Sequence, residues 1–431
     1  MIRLLCLLLV AVSMHAGPPT ALAIRNARVV TVSGPVIEKG TVLVRDGLFE
    51  AVGTNVAIPP DAWIIEGERL TVYPGLIDAL STAGMPDAAP ATGSARTPAP
   101  APAAPQQPRT RVRGPEDRPS CTSWLRAADQ LDPADRRIEQ LRSLGFTTAV
   151  VFPTRGIFAG QGAVVNLAGE KKAMVVASPA AQYLTLSTGG FLSFPGSLMG
   201  VMAYMRQMYL DAEHYRAERD RYNAHPAGAK RPDYDRALEG VIESPRILLP
   251  ASREVELDRM TRFARDLKQP TVLYGGTEAY AAASRLRDAA MPVLVSLKWP
   301  ERSREADPDD IDSTRTLEVR ERAPSSPAAL AKAGARFALY TEGQSGRDLK
   351  LAMKRALDAG LQPLDAVKAF TLAPAEIYGV ADRLGSVDKG KIANLVVTDG
   401  ELFNEKTKIK YIIIDGAKYE PAPEMGEEVA R

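Results

Sequence analysis

The chain has 431 residues, 45% of them apolar, enough to bury a large core and to build one barrel-sized domain with a smaller companion. Its 54 basic and 52 acidic residues leave a net charge of +2, which excludes the strong single-sign field that would mark nucleic acid or an anionic membrane as a partner. Two cysteines, Cys6 and Cys121, exclude a disulfide-scaffolded fold.

In chain order, "MIRLLCLLLVAVSMHAG" places Arg3 before an apolar run far too short to span a bilayer. It is read as a signal peptide over residues 1–20, with Ser13, Ala16 and Ala23 as cleavage points. A secreted, periplasmic protein with no membrane association after cleavage is expected; a retained signal anchor is the alternative. Cys6 leaves with the signal, so no internal disulfide is expected and stability must come from the core.

Residues 21–73 read as short strands with turn signals, the clearest being "TVLVRDGLFEAVG", where Asp46-Gly47 forms a hairpin turn. "IANLVVTDGELF" and "YIIIDGAKYE" repeat that pattern within residues 385–422. The two ends are therefore expected to form one small sheet domain. At residue 74, "PGLIDALST" joins a Pro-Gly turn to a buried strand. Positions i and i+2 at such a strand end are a common mount for paired metal ligands. Here they are Leu80 and Thr82, which do not suit that task.

Across residues 74–384 helical stretches alternate with apolar strands: "RRIEQLRSLG" with "FTTAVVFP", "ELDRMTRFARDLKQ" with "PTVLYGG", and "PAALAKAG" with "ARFALYT". The alternation predicts an α/β fold with parallel strands; a closed barrel is the economical form at this length, a doubly wound open sheet the alternative. Residues 87–119, rich in Ala and Pro, read as a mobile insertion, and the charged run from Glu301 as a loop. "GIFAGQGAVV" reads as a loop with permissive glycines rather than a phosphate site, since it lacks the Gly-Lys-Ser/Thr ending. "SLMGVMAYMRQMYL" reads as a core-facing helical stripe or, alternatively, a partner face. Cys121 reads as a free thiol, and His214 with Glu218 as a solvated helical pair.

Taken together, "VYPGLIDALS", "LGFTTAVVFP", "GQGAVVNLAG", "GGTEAYAAASRL", "GARFALYTEG" and "AFTLAPAEIYGVADRLGSVDKGKIANLVV" resemble, in order and spacing, the amidohydrolase superfamily, in particular its imidazolonepropionase-like secreted members. The resemblance implies a TIM-type (β/α)8 barrel with a small β-sandwich domain formed from both chain ends. It also implies metal-dependent hydrolysis of carbon–nitrogen bonds, with histidines and an aspartate at the strand ends. The family's ligand positions fall on Leu80, Thr82, Pro250, Ser252 and Gly275, its later aspartate on Glu342, and its closing "GKDADLVV" has become "GKIANLVV" with Ile392 and Asn394.

Histidine content tests this independently of alignment. The chain has three, His15, His214 and His225; the last two share one predicted helix that ends near Pro226, about 16 Å apart along its axis, too far to share an ion. No metal cofactor is expected, zinc or another divalent ion entering only if the degenerate-site reading fails. A hard cation held by Asp78, Glu278 and Glu342 would be a coincidence. The expected role is non-hydrolytic: a ligand-binding protein for a small molecule, or a partner subunit as homo-oligomer or as heteromer with an active relative. The alternative is a hydrolase of carbon–nitrogen bonds without metal, with Glu342 as acid or base. The bland reading of Glu342 is an ion pair with Arg347 or Lys350. Tyr274, Glu278 and Tyr280, around a Gly-Gly turn at the expected barrel mouth, are candidate pocket residues, although Glu278 and Tyr280 could instead merely start a helix.

Overall fold

The computed structural model describes residues 21–86, 117–188, 194–303, 305, 307 and 309–419. The leader and most of the 87–119 insertion lie outside them. The N-terminal strands are Ala21–Val29 (β1), Ile37–Arg45 (β2), Leu48–Gly53 (β3), Ala62–Glu66 (β4) and Thr71–Pro74 (β5). Between β2 and β3, Asp46 and Gly47 both have positive φ (50° and 77°), the primed turn whose twist matches a hairpin. Pro74 and Gly75 then carry the chain from the terminal sheet into the central strands. A Cβ on Gly75 would lie 2.1 Å from Thr147 Oγ1, so the glycine is needed for close approach.

The central strands are Leu76–Ser81 (β6), Phe146–Val151 (β7), Phe158–Gln161 (β8), Ala163–Asn166 (β9), Val175–Ala177 (β10), Gln182–Leu184 (β11), Ile247–Ala251 (β12), Thr271–Gly275 (β13), Val293–Ser296 (β14) and Phe337–Tyr340 (β15). They form a four-stranded sheet, β10-β9-β7-β6, and a six-stranded sheet, β15-β14-β13-β12-β11-β8. β6 and β7 pair in parallel, as do β11 to β15 in succession. Helices Glu254–Leu267, Ala283–Asp288 and Ser326–Ala333 alternate with β12 to β15. This is the α/β alternation that the apolar runs predict.

Each parallel strand is buried on both faces and splits its side chains between two clusters. Leu248, Val272, Leu294, Ala338 and Tyr340 join one cluster with Ile77, Leu80 and Phe152. Leu249, Leu273, Val293, Val295 and Leu339 join the other, beneath the helices. At one margin Gly162 exchanges backbone bonds with Ala180 and Ala181. At the other, Asp78 of β6 accepts from Thr341, just beyond β15. The two sheets thus contact each other at both edges.

Helix Leu198–Ala224 buries Val201, Tyr204, Met205, Met208 and Tyr209, and His225 caps it. Two expectations need correction. "GIFAGQGAVV" is largely strand, β8 and β9, which pass from one sheet to the other at Gly162; a Cβ on Gly160 would lie 2.7 Å from Leu125 O and one on Gly162 2.1 Å from the Phe152 ring, so both glycines are needed for close approach. The charged run from Glu301 contains a helix, Thr314–Arg322, which Ser313 caps through Thr316 N–H and a Glu318–Arg322 pair supports.

The C-terminal strands, Leu395–Thr398 (β16), Ile409–Ile414 (β17) and Ala417–Tyr419 (β18), complete an eight-stranded sheet of order β18-β17-β16-β5-β1-β2-β3, with β4 on β1. Ile24, Val42, Val72, Leu395 and Ile413 form its core. The Asp415-Gly416 turn repeats the positive φ pair (52° and 76°) and packs against the first hairpin. A Cβ on Gly416 would lie 2.8 Å from Gly47 Cα. Gly416→Ala is therefore expected to cost roughly 2 kcal/mol or more, from left-handed strain plus a backbone clash; a melting curve that matches the parent would show that the two turns do not bear on each other.

Candidate functional site

The inner cluster converges at the C-terminal ends of the parallel strands, where α/β folds place their sites. Phe152 follows β7, Tyr183 comes from β11, Tyr274 from β13, Ser296 from β14 and Tyr340 from β15. The Phe152 and Tyr183 rings lie 5.4 Å apart at 35°, and Tyr183 stacks on Tyr274 at 5.0 Å and 29°. Phe152 owes its place to Gly162, where a Cβ would lie 2.1 Å from the ring. Tyr274 Oη donates to Leu184 O at 2.9 Å, and Tyr378 Oη to Ala79 O at 2.7 Å. Phe152 and Tyr340 are buried, while Tyr183 and Tyr274 stay partly exposed. The result is an aromatic wall at the mouth with its inner end sealed.

Two carboxylates flank it. Asp78, fully buried, receives Thr341 N–H at 2.9 Å and Thr341 Oγ1 at 2.8 Å. Burial pushes its carboxyl up to about 7, although the Thr341 donors pull the other way. Glu342 is exposed, with φ +52°, and accepts from the buried Ser296 hydroxyl. Burial pushes the hydroxyls of Tyr183, Tyr274 and Tyr340 up as well, with the Glu342 charge adding to this at Tyr183 and Tyr340.

The expected site residues are placed as follows. Leu80 is buried in the inner cluster, whereas Thr82 lies past the end of β6 and is exposed; the pairing of β6 with β7 shifts register between Asp78 and Ser81, so the two do not form a matched pair. Pro250 pairs with Tyr274 and Ala251 with Gly275. Alternation therefore puts Pro250 and Tyr274 on the inner face, so Tyr274 rather than Gly275 is the side chain that strand offers. Gly275 instead approaches Ser252, whose Oγ would lie 2.4 Å from a Cβ there. Tyr274 is thus at the mouth, but Glu278 and Tyr280 are not in the wall. Gly275 and Gly276, at φ +113° and +59°, redirect the chain. Glu278 is buried, accepts Glu254 N–H at 3.0 Å and pairs with Arg315. Tyr280 lies 4.4 Å beneath the Arg322 guanidinium. Glu342 pairs with neither Arg347 nor Lys350, and it lacks the burial that an acid–base role was expected to need.

Phe152, Tyr183, Ser296 and Tyr340 were missed by motif reasoning. The usable signal was a tyrosine just before the strand end in "QYLT", "LYGG" and "LYTE". The side chains at the mouth do not fit a divalent metal of the kind the fold family implies. Asp78 is committed to Thr341 and Glu342 to Ser296, and the tyrosine hydroxyls, raised by burial, hold their protons when a ligand must give one up. Asp78, Glu278 and Glu342 do not converge, and among the described residues no three His, Cys, Asp or Glu side chains could hold an ion together.

The amidohydrolase family model matches residues 224–418. No curated protein matches the chain. An amidohydrolase from Thermotoga maritima MSB8 superposes with a TM-score of 0.73 at 22% identity, over 93% of this chain and 100% of that one. Another amidohydrolase gives 0.53 at 14% identity over 94% and 100%. A prolidase complexed with N-methylphosphonate-L-proline gives 0.52 at 15% identity over 93% and 100%. These likenesses show an amidohydrolase-type fold, and residues 224–418 are similar in sequence to the amidohydrolase family.

Proposed function

We propose that this protein binds a small molecule at the strand-end mouth, or serves there as a partner subunit, without metal-dependent hydrolysis. The observation that carries the reading is the identity of the inward side chains at the strand ends: Leu80, Pro250, Tyr274, Ser296 and Tyr340 include no histidine, cysteine or carboxylate. A fold can keep its scaffold while its chemistry is lost at the site. The two central sheets are read as one TIM-type (β/α)8 barrel, supported by their contacts through Gly162 and through Asp78–Thr341, and the eight-stranded sheet as its β-sandwich companion. The apolar run after Arg3 in residues 1–20, read as a signal peptide, supports a periplasmic location.

The test is thermal stability of the full chain against a panel of small amides and dipeptides, with solution mass measured with and without a co-expressed relative. A ligand-dependent rise in melting temperature, or a heteromer, is expected; neither would leave the proposal without support. A second reading, a metal-free carbon–nitrogen hydrolase, is favoured by one observation, the Ser296–Glu342 hydrogen bond that holds a carboxylate at the mouth. Glu342→Gln should then abolish turnover of any cleaved amide, and unchanged turnover removes the residue from that mechanism.

A further inference from the structure

Given ligand binding at the mouth, on which this inference rests, the chemistry of the wall restricts the ligand. Tyr183 and Tyr274 are stacked and partly exposed, and the Tyr274 hydroxyl is tied to Leu184 O. Those ring faces are electron-rich, and an aromatic face attracts a cation within about 6 Å. Glu342 adds a full negative charge. Its carboxylate accepts from Ser296, which pairs with Tyr340 and lies on the strand next to the one that carries Tyr274, and this places it beside the wall.

Glu342 forms no ion pair with a lysine or arginine among the described residues, and Lys298, two residues beyond Ser296, is exposed. Ser296 therefore holds a carboxylate that no lysine or arginine among the described residues pairs with. The backbone is strained to do so. A glutamate at φ +52° occupies a left-handed region that is costly for a non-glycine residue and that tends to persist at ligand sites. An anionic ligand would have to desolvate against this charge, and a neutral one would leave it unused.

We infer that the mouth binds an organic cation, a substituted ammonium, with the Tyr183–Tyr274 stack and the Glu342 carboxylate as its two recognition elements. The class is set by the pairing of ring faces with a carboxylate that has no cationic partner among the described residues. It adds a ligand charge to a reading that otherwise leaves the ligand open.

The experiment is calorimetric titration of the full chain with choline and, separately, with its neutral isostere 3,3-dimethylbutan-1-ol. Choline is expected to bind at least about tenfold more tightly, as cation–aromatic and charge terms of this size imply. Glu342→Gln should remove that preference. Tyr183→Phe should keep binding and Tyr183→Leu should weaken it, with the phenylalanine variant guarding against a misfolded leucine variant. Equal affinity for choline and the isostere overturns the cation assignment while leaving a ligand site at the mouth. A preference for choline that survives both Glu342→Gln and Tyr183→Leu places the cation elsewhere and also overturns it. Binding of neither compound, together with no response to the amide panel, removes the ligand-binding reading itself.

Discussion

Asp78→Asn should make the protein more stable at pH 8 while leaving its stability near pH 4 almost unchanged. The buried Asp78 carboxyl titrates at about 7 in the fold against 3.8 for the ordinary value. Between those pH values the folded chain holds one more proton than the unfolded chain. Stability from this group is therefore fully present below about pH 4 and is lost as pH rises toward 7. About three pKa units correspond to roughly 4 kcal/mol at pH 8. Asparagine keeps the staple between β6 and the end of β15, because its carbonyl can accept Thr341 N–H and its amide can donate to Thr341 Oγ1, yet it has no charge to bury. Acids such as Glu66, which the Arg25 hydrogen bond pulls down, slope the other way, so the informative quantity is the difference between variant and parent. Urea unfolding from pH 4 to 8 measures it. A variant less stable than the parent at pH 8 would mean that Asp78 is ionised in the fold and that the Thr341 donors outweigh burial.

Gly162→Ala is expected to be the most damaging single-methyl addition at the mouth. The new Cβ would lie 2.1, 2.4 and 2.6 Å from three atoms of the Phe152 ring, and Phe152 is fully buried among Leu80, Val150 and Leu248. Neither group can yield cheaply, because overpacking a filled core costs about 1 to 3 kcal/mol or more. Displacing Phe152 also disturbs the Tyr183–Tyr274 stack that it abuts. A lower melting temperature, an altered near-ultraviolet circular dichroism spectrum and weaker ligand binding should appear together. Phe152→Leu in the same chain shortens the obstructing ring and should restore part of the stability. If the double variant is no better than Gly162→Ala alone, the contact is not the cause.

The local signals in the sequence translate directly into structure because they are set by neighbours in the chain. Asp46-Gly47 and Asp415-Gly416 form tight hairpins since glycine alone takes the positive φ cheaply. That the two turns touch, Gly416 against Gly47, was not legible, because it depends on nearly 370 intervening residues bringing both hairpins into one sheet. The helical segment after Ser313 was obscured by its charge, which suggested a loop, although its cap and its Glu318–Arg322 pair are helix signals.

At the mouth, the unsuitability of Leu80 and Pro250 as ligands could be read from side-chain type alone. Facing was harder, since a one-residue error in register exchanges inner for outer, as Tyr274 and Gly275 show. Ser296 and Glu342 meet across adjacent strands 46 residues apart, a contact with no local signature. Glu278 left two readings open in the sequence, a pocket residue or a helix start; it precedes the short helical turn Ala279–Ala281, where Glu254 N–H and Arg315 use its oxygen and its charge.

In the proposed reading the strand-end mouth holds tyrosines and aliphatic side chains and no metal centre. The most direct test of that reading is elemental analysis of the purified full chain after dialysis against zinc, manganese and iron(II), with hydrolysis of amides and dipeptides followed before and after chelation. Well under one ion per chain and no activity that chelation removes are expected, since the inward groups supply no adequate donor set. One tightly held ion per chain, with hydrolysis lost on chelation and regained on refeeding, would contradict it.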